Sequence, residues 1–361
     1  MFYKIAGILV EIYGESRMEP CAVSYMADLE SLCYRRQNAS NAFTEDFASE
    51  EDNSSDASVF YGFTPDEIRK QLTDKPCLMN EARGISDFDA DGNSRYVCRR
   101  MSDYETDADR ADVKISYRIV PEIIRPQGDV VGTVRGFLCV KTTEGITLLN
   151  TLDYFREYTV RMDFNFEFTA CQIELYDMES MGGLDLETRL HSYIGEAFSY
   201  LALNTKRFVF HSSTILFNES GICFSAPSGT GKSTHADLWE KYYGAKRLND
   251  DTPAIFCENG VAFVAGTPWS GKSELNINKI VPLKAIVFLY QSPDNKIERL
   301  TGMNALKKVL SEAKIPEFPV QFNTGLDIVS GVLNTTPVYL LGCNISKDAV
   351  DLVKSTLELS C

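Results

Sequence analysis

Two stretches of this chain end in Gly-Lys-Ser at the spacing of a phosphate-binding loop: APSGTGKS, residues 226–233, and GTPWSGKS, residues 266–273. Such a loop curls backbone N–H groups around phosphate oxygens and aims the N-terminus of the next helix at them. It needs a strand before it, a helix after it, and glycine where the backbone meets the ligand. The first stretch meets all three conditions. GICFSA reads as a strand, STHADLWEKYY as a helix of about three turns, and Gly244 as its stop. Gly229 and Gly231 leave the turn open, and small Ala226 stands where the first glycine is usual. The second stretch also follows a strand, VAFVAG, but SELNINKIVP is a poor helix that runs into Pro282. Trp269 takes the place of Gly229 and would crowd a phosphate, and Pro268 lacks an N–H. The nucleotide-binding role therefore goes to Ser228, Gly229, Thr230, Gly231, Lys232, Ser233 and Thr234. Lys232 is expected to reach the β- and γ-phosphates and Ser233 to place its hydroxyl on Mg²⁺, with ATP or another nucleoside triphosphate as the ligand.

A phosphate loop specifies a nucleotide and leaves the reaction open. AKRLNDDTP puts Asp250 and Asp251 just beyond the loop helix. Paired carboxylates beside a triphosphate can hold Mg²⁺ and take a proton from an attacking hydroxyl. The same Asn-Asp-Asp-Thr-Pro run is also a good turn sequence, and spacing does not choose between the two. Taken alone, His211 reads as a strand-end histidine and His235 as structural.

The run FHSSTILFNESGICFSAPSGTGKST followed by LNDD resembles the HPr kinase/phosphorylase catalytic domain. His211, Gly221, Lys232, Ser233, Asp250 and Asp251 stand in that family's order, over about residues 185–361 and best over 205–255. The resemblance implies an α/β C-terminal domain with a phosphoenolpyruvate carboxykinase/HPr kinase-like P-loop core. It also implies phosphoryl transfer from a nucleotide to a seryl hydroxyl in a protein, peptide or small molecule. Asp250 would then be the base, Asp251 would support the metal together with Ser233, and His211 would sit beside the carboxylates; the two aspartate labels are interchangeable. Two features depart from the family. Thr234 stands where glutamate is usual, and the later Arg-Gly stretch is replaced by GTPWSGKSELN, which puts the target protein and the phosphorolysis activity in doubt. Relatives of that kinase with a similar Pro-Trp-Ser-Gly-Lys segment suggest a role for the second stretch, with Lys272 as a point charge on the acceptor or the phosphoryl group. The competing reading is a surface turn with Trp269 packed as core. Two other functions remain: a nucleotide-binding regulatory module with little or no kinase activity, and a carboxykinase, for which no separate ligand cluster is found.

The elements that must position these residues divide near residue 180. Residues 1–180 read as a β-rich N-terminal domain serving acceptor recognition or structure, and 181–361 as the nucleotide-binding domain. DVKISYRIV, GFLCVKTTEGITLLN and YTVRMDFNFEFTACQIELYDM are rich in β-branched and aromatic residues, with a hairpin turn at Glu144–Gly145. Asn38–Ser58 and Asp87–Asp112 read as loops. DFDADG at 87–92 opens like a calcium loop, but the twelfth position is Cys98 where a bidentate glutamate belongs. Leu186, Leu190, Ile194, Phe198 and Leu201 form one helical stripe. Strands and the loop helix follow, and a last helix spans Ser346–Leu359.

Bulk properties exclude several classes. The 361 residues are 44% hydrophobic, enough for a sizeable core. With 51 acidic against 36 basic residues and a net charge of -15, no basic stripe offers itself to nucleic acid. Ten cysteines without a C-x-x-C pair, and only three histidines, argue against zinc and for free thiols in a reducing cytoplasm. The opening MFYKIAGILVEIYGE lacks a basic start and reads as a first strand, and no run approaches the ~20 apolar residues of a membrane span. Self-association is left open.

Overall fold

The computed structural model describes residues 1–14, 99–151, 158–177 and 186–359, all within one compact unit. The segment Asn38–Ser58, the calcium-like run at 87–92 and Cys98 lie outside the described residues.

The first half builds one eight-stranded sheet. Its strands are β1 (Phe2–Ile5), β2 (Ile8–Gly14), β3 (Val113–Val120), β4 (Asp129–Val134), β5 (Phe137–Lys141), β6 (Gly145–Thr151), β7 (Tyr158–Asn165) and β8 (Ala170–Tyr176), in the order β1-β2-β3-β8-β7-β6-β5-β4. Only β2–β3 and β3–β8 are parallel. The opening segment is a hairpin, not the single strand expected. Ala6 and Gly7 both take positive φ, 53° and 79°, as a two-residue turn whose twist suits paired strands demands. The turn expected at Glu144–Gly145 joins β5 to β6. Within the expected loop at 87–112 lies a 3-10 turn, Arg99–Tyr104, which buries Met101 and Tyr104.

Helix α1 (Leu186–Leu201) lays its predicted stripe on this sheet, where it meets Ile115, Ile173 and Leu175. Its Arg189, also buried, donates to the carbonyls of Tyr176 and Thr159, both at 3.1 Å, so the helix is pinned by polar as well as apolar contacts.

The second half builds a nine-stranded sheet from β9 (Arg207–Val209), β10 (Ser213–Phe217), β11 (Ser220–Ser225), β12 (Lys246–Asn249), β13 (Ala254–Glu258), β14 (Val261–Ala265), β15 (Ile280–Gln291), β16 (Lys296–Leu300) and β17 (Val338–Cys343). β15 is the junction. Its first residues pair antiparallel with β14, and its later ones run parallel to β11 and β17. Period-2 alternation sends Ile222 and Phe224 of β11 and Ala285 and Val287 of β15 to one face. There they meet helices α2 (Lys232–Tyr243) and α5 (Lys347–Thr356). Cys223, Ile286 and Phe288 point to the other face, under α3 (Gly302–Leu310) and α4 (Pro319–Leu333).

Lys307 and Lys308, expected on a solvated helix face, lie on α3, whereas α4 and strand β16 were not anticipated. Pro319, Gly325 and Gly331 disguise α4, yet proline suits the first helical turn, and Gly325 faces Ile315 where an added Cβ would lie 2.7 Å from that side chain. Arg299, which the sequence reading puts on the same solvated helix face as Lys307 and Lys308, belongs to β16 instead.

Among the described cysteines 139, 171, 223, 257 and 343 are free thiols, and burial pushes Cys139 and Cys223 up to about 11. No helix among the described residues is long and apolar enough to cross a membrane.

His235 of α2 is buried edge-on against Phe224, ring centres 4.6 Å apart, and its Nε2 makes no hydrogen bond among the described residues. Burial lowers its pKa to about 4, so it is neutral in the folded state at neutral pH. The unfolded chain takes up a proton first on acidification, so this neutral imidazole supports the fold above about pH 6.5, and that support is lost toward pH 4. The expected loss across this window is about 3 kcal/mol. Urea midpoints measured from pH 7 to 4 should fall less steeply in His235→Leu than in the wild type; equal slopes would refute the assignment.

Candidate active site

The first Gly-Lys-Ser stretch lies between β11 and α2, at the C-terminal end of a strand flanked by β10 and the parallel β15. Gly229 and Gly231 take φ of 78° and 110°, and a Cβ added at either would meet nothing within 4 Å, so the backbone is open on its outer side. Ser228, Ser233 and Thr234 are exposed, while Thr230 and Lys232 are half-buried. The first amides of α2 have no partner within the helix, as at any helix start. The Lys232 ammonium turns back to the Ala226 carbonyl at 2.8 Å. Partial burial pulls its pKa below the usual lysine range, against the opposing influence of Glu312, Asp251 and Asp250. These three carboxylates are thus the electrostatic neighbours of the loop lysine.

The two aspartates differ sharply in surroundings. Asp250 is held inward, its side chain 7% exposed. It accepts from Ser213 Oγ at 2.6 Å and from Arg247, itself 4% exposed. Arg247 also pairs with Asp237 at 2.6 Å and Glu240 at 3.1 Å on α2 and reaches the Ser233 carbonyl. One guanidinium thereby ties the Asp250 turn to the loop helix. Asp251 is 38% exposed, and its Oδ1 lies 3.6 Å from His211 Nε2. The other ring nitrogen, Nδ1, is 2.9 Å from Glu312 Oε2. An ionised carboxylate only accepts, so Nδ1 carries a proton toward Glu312 and Nε2 is left facing Asp251. The structure thus brings His211, Lys232, Asp250 and Asp251 together.

Asn249 sets the turn that presents the pair. It is fully buried, its Oδ1 accepts from the amides of Asp251 at 2.9 Å and Thr252 at 2.7 Å, and its Nδ2 donates to the Thr267 carbonyl at 2.9 Å. Neither Asn249 nor Glu312 was singled out from sequence. Asn249 precedes the aspartates in a pattern that reads as a turn, and that was a usable signal. Glu312 had none, since it meets His211 from 101 residues away.

The second Gly-Lys-Ser stretch has its own physical explanation. Its leading Gly266 is a packing glycine, for a Cβ there would fall 2.0 Å from the Ile277 carbonyl oxygen. Trp269 is core, 7% exposed, 4.9 Å from Phe198 and donating from Nε1 to the His191 carbonyl at 2.8 Å. Its own carbonyl accepts from Thr252 Oγ1 at 2.5 Å. The stretch then ends in a 3-10 turn, Gly271–Ser273, whose Gly271 packs against the Asp251 side chain. Lys272 lies in that turn, and its side chain is outside the described set.

A cavity of about 620 Å³ opens beside Asp251. Its walls come from α1, from the 3-10 turn at 99–104 and from residues 268–276. Tyr104 fastens the second of these to the third through Asn276 Oδ1 at 2.9 Å. Among the described residues no group of three or more His, Cys, Asp or Glu is placed to hold a metal by itself.

No protein-family model matches the chain, and no curated protein is similar to it. Among solved structures, the Hpr(Ser) kinase/phosphatase from Coxiella burnetii is similar at 11% identity over 42% of this chain and 98% of that one, with a TM-score of 0.25. At that score the likeness adds nothing to what this chain's own geometry says.

Proposed function

We propose that this chain catalyses ATP-dependent, magnesium-assisted phosphoryl transfer to a hydroxyl group. The observation that carries the reading is an open Gly-x-Gly-Lys-Ser turn whose lysine has Asp251 and Asp250 as electrostatic neighbours, with Asp251 paired to His211 and lining a cavity. The exposed hydroxyl of Ser233, the open backbone at Gly229 and Gly231, and Lys232 fit a triphosphate. Magnesium held largely through phosphate oxygens needs only one or two further protein ligands, and Ser233 with one aspartate suffices. Bound Mg-ATP supplies the phosphoryl group and spreads its charge over metal and lysine.

The chain's own residues divide the remaining work. Geometry favours the reverse of the first labelling of the aspartates. Asp251, exposed and beside the cavity, takes the proton of the acceptor hydroxyl as its oxygen bonds to phosphorus and the bond from phosphorus to the leaving oxygen breaks. His211, held by Glu312, stands beside that carboxylate. Asp250, clamped by Arg247 and Ser213, holds the turn and faces the metal side. Lys272 is assigned to the transferring group as a point charge, a reading supported by its neighbour Gly271 packing against Asp251.

Calorimetric titration tests the nucleotide half of this reading. Mg-ATP is expected to bind the wild type and to bind Lys232→Ala at least tenfold more weakly, with an unchanged circular dichroism spectrum. Equal affinity in the two proteins would remove the loop from the site.

A further inference from the structure

We infer that Glu312 is a positioning residue for the transfer: by holding the ring proton of His211 on Nδ1 it keeps Nε2 bare, and so leaves the Asp251 carboxylate free to receive the proton of the acceptor hydroxyl. The inference rests on the phosphoryl-transfer reading above and adds a residue that acts through another.

Backbone contacts fix the three groups relative to one another. The segment after α3 runs antiparallel beside the end of β9: Phe210 bridges Ala313, Lys314 N donates to the Val209 carbonyl at 2.8 Å, and His211 N donates to the Glu312 carbonyl at 3.0 Å. The His211 carbonyl accepts from Ser225 Oγ at 2.8 Å, at the end of the strand that leads into the Gly-Lys-Ser turn. The next amide, of Ser212, donates to the Asp251 carbonyl at 2.9 Å.

The side chains then choose the tautomer. Glu312 Oε2 lies 2.9 Å from Nδ1, whereas Asp251 Oδ1 lies 3.6 Å from Nε2. An imidazole with one proton keeps it on the nitrogen that has an acceptor within reach, here Nδ1. A bare Nε2 and a carboxylate oxygen both present lone pairs, so they stand apart instead of bonding. The Asp251 carboxylate accepts a hydrogen bond from no described residue, while that of Asp250 is taken by Ser213 and Arg247. The opposite tautomer would aim an N–H at Asp251, and a carboxylate that accepts such a bond binds a proton less readily.

Glu312→Gln in the full chain tests this, because its amide keeps the shape of the side chain and can donate to Nδ1, which sends the ring proton to Nε2. Nitrogen NMR of the three histidines, with His211 assigned by its loss in His211→Asn, reads the tautomer at about pH 8, where free imidazole holds one proton. The wild type should carry the proton on Nδ1 and Glu312→Gln on Nε2. With Mg-ATP and water as the acceptor, kcat for ADP release should fall about tenfold in Glu312→Gln, with KM within about threefold of the wild type. A wild-type ring protonated on Nε2 or on both nitrogens, or a Glu312→Gln protein with unchanged tautomer or kcat, overturns the inference. Wild-type protein that binds Mg-ATP and releases no ADP, with or without a hydroxyl acceptor, defeats the transferase reading instead and leaves the tautomer assignment standing.

Discussion

Asp251→Asn is expected to slow phosphoryl transfer about 10³-fold while changing Mg-ATP affinity less than about threefold. An amide keeps the shape of the side chain but cannot take a proton. The backbone amide of Asp251 still donates to Asn249, so the turn survives the change. Asp250→Asn should behave differently. It discharges a carboxylate that is 7% exposed and clamped by Arg247, so it is expected to cost stability along with rate. Steady-state ADP release and titration calorimetry on both variants check the assignment. Near-wild-type turnover in Asp251→Asn would return the base to Asp250 or dismiss it altogether.

Arg247→Ala is expected to destabilise the protein by about 4 kcal/mol, because it strands Asp250 in the interior with Ser213 as its remaining donor. The three carboxylates around this guanidinium do not contribute equally. Asp237 is 66% exposed and Glu240 35%, so their pairs are screened by water and worth little. The penalty comes from Asp250. Arg247→Lys should recover only part of it, since an ammonium cannot fork between α2 and the turn. Urea denaturation gives the answer directly, and a loss under ~1 kcal/mol would mean that Asp250 finds water or another partner.

The strand–turn–helix setting of the first Gly-Lys-Ser stretch was legible because each of its parts is local: a strand, a turn with glycines, and a helix within about twenty residues. The helical stripe of Leu186 to Leu201 was legible for the same reason. What escaped was what depends on distant partners. Gly266 looks like the leading glycine of a motif, and only the approach of Ile277 explains it. Glu312 gives no sign in sequence that it will fix His211. The labels of Asp250 and Asp251 could not be ordered from spacing, since Arg247 pairs with one of them and a cavity lies beside the other. Helix α4 stayed hidden because its proline and glycines are permitted by its first turn and its neighbours, information that sequence periodicity lacks.

Trp269 belongs to a loop of the second sheet, yet its indole is sheltered by α1, and Gly195 is the residue that makes room for it: a Cβ there would lie 2.7 Å from the ring. Phe168 and Phe318 meet across the same seam, ring centres 6.0 Å apart. Recombination therefore meets an obstacle. A foreign front half joined near residue 180 would have to supply a surface that matches α1, and any exchange of α1 would need a glycine opposite the tryptophan. The seam between the halves is thus a fixed point of the fold: either half can be exchanged only with the contacts of Trp269 and Phe318 kept.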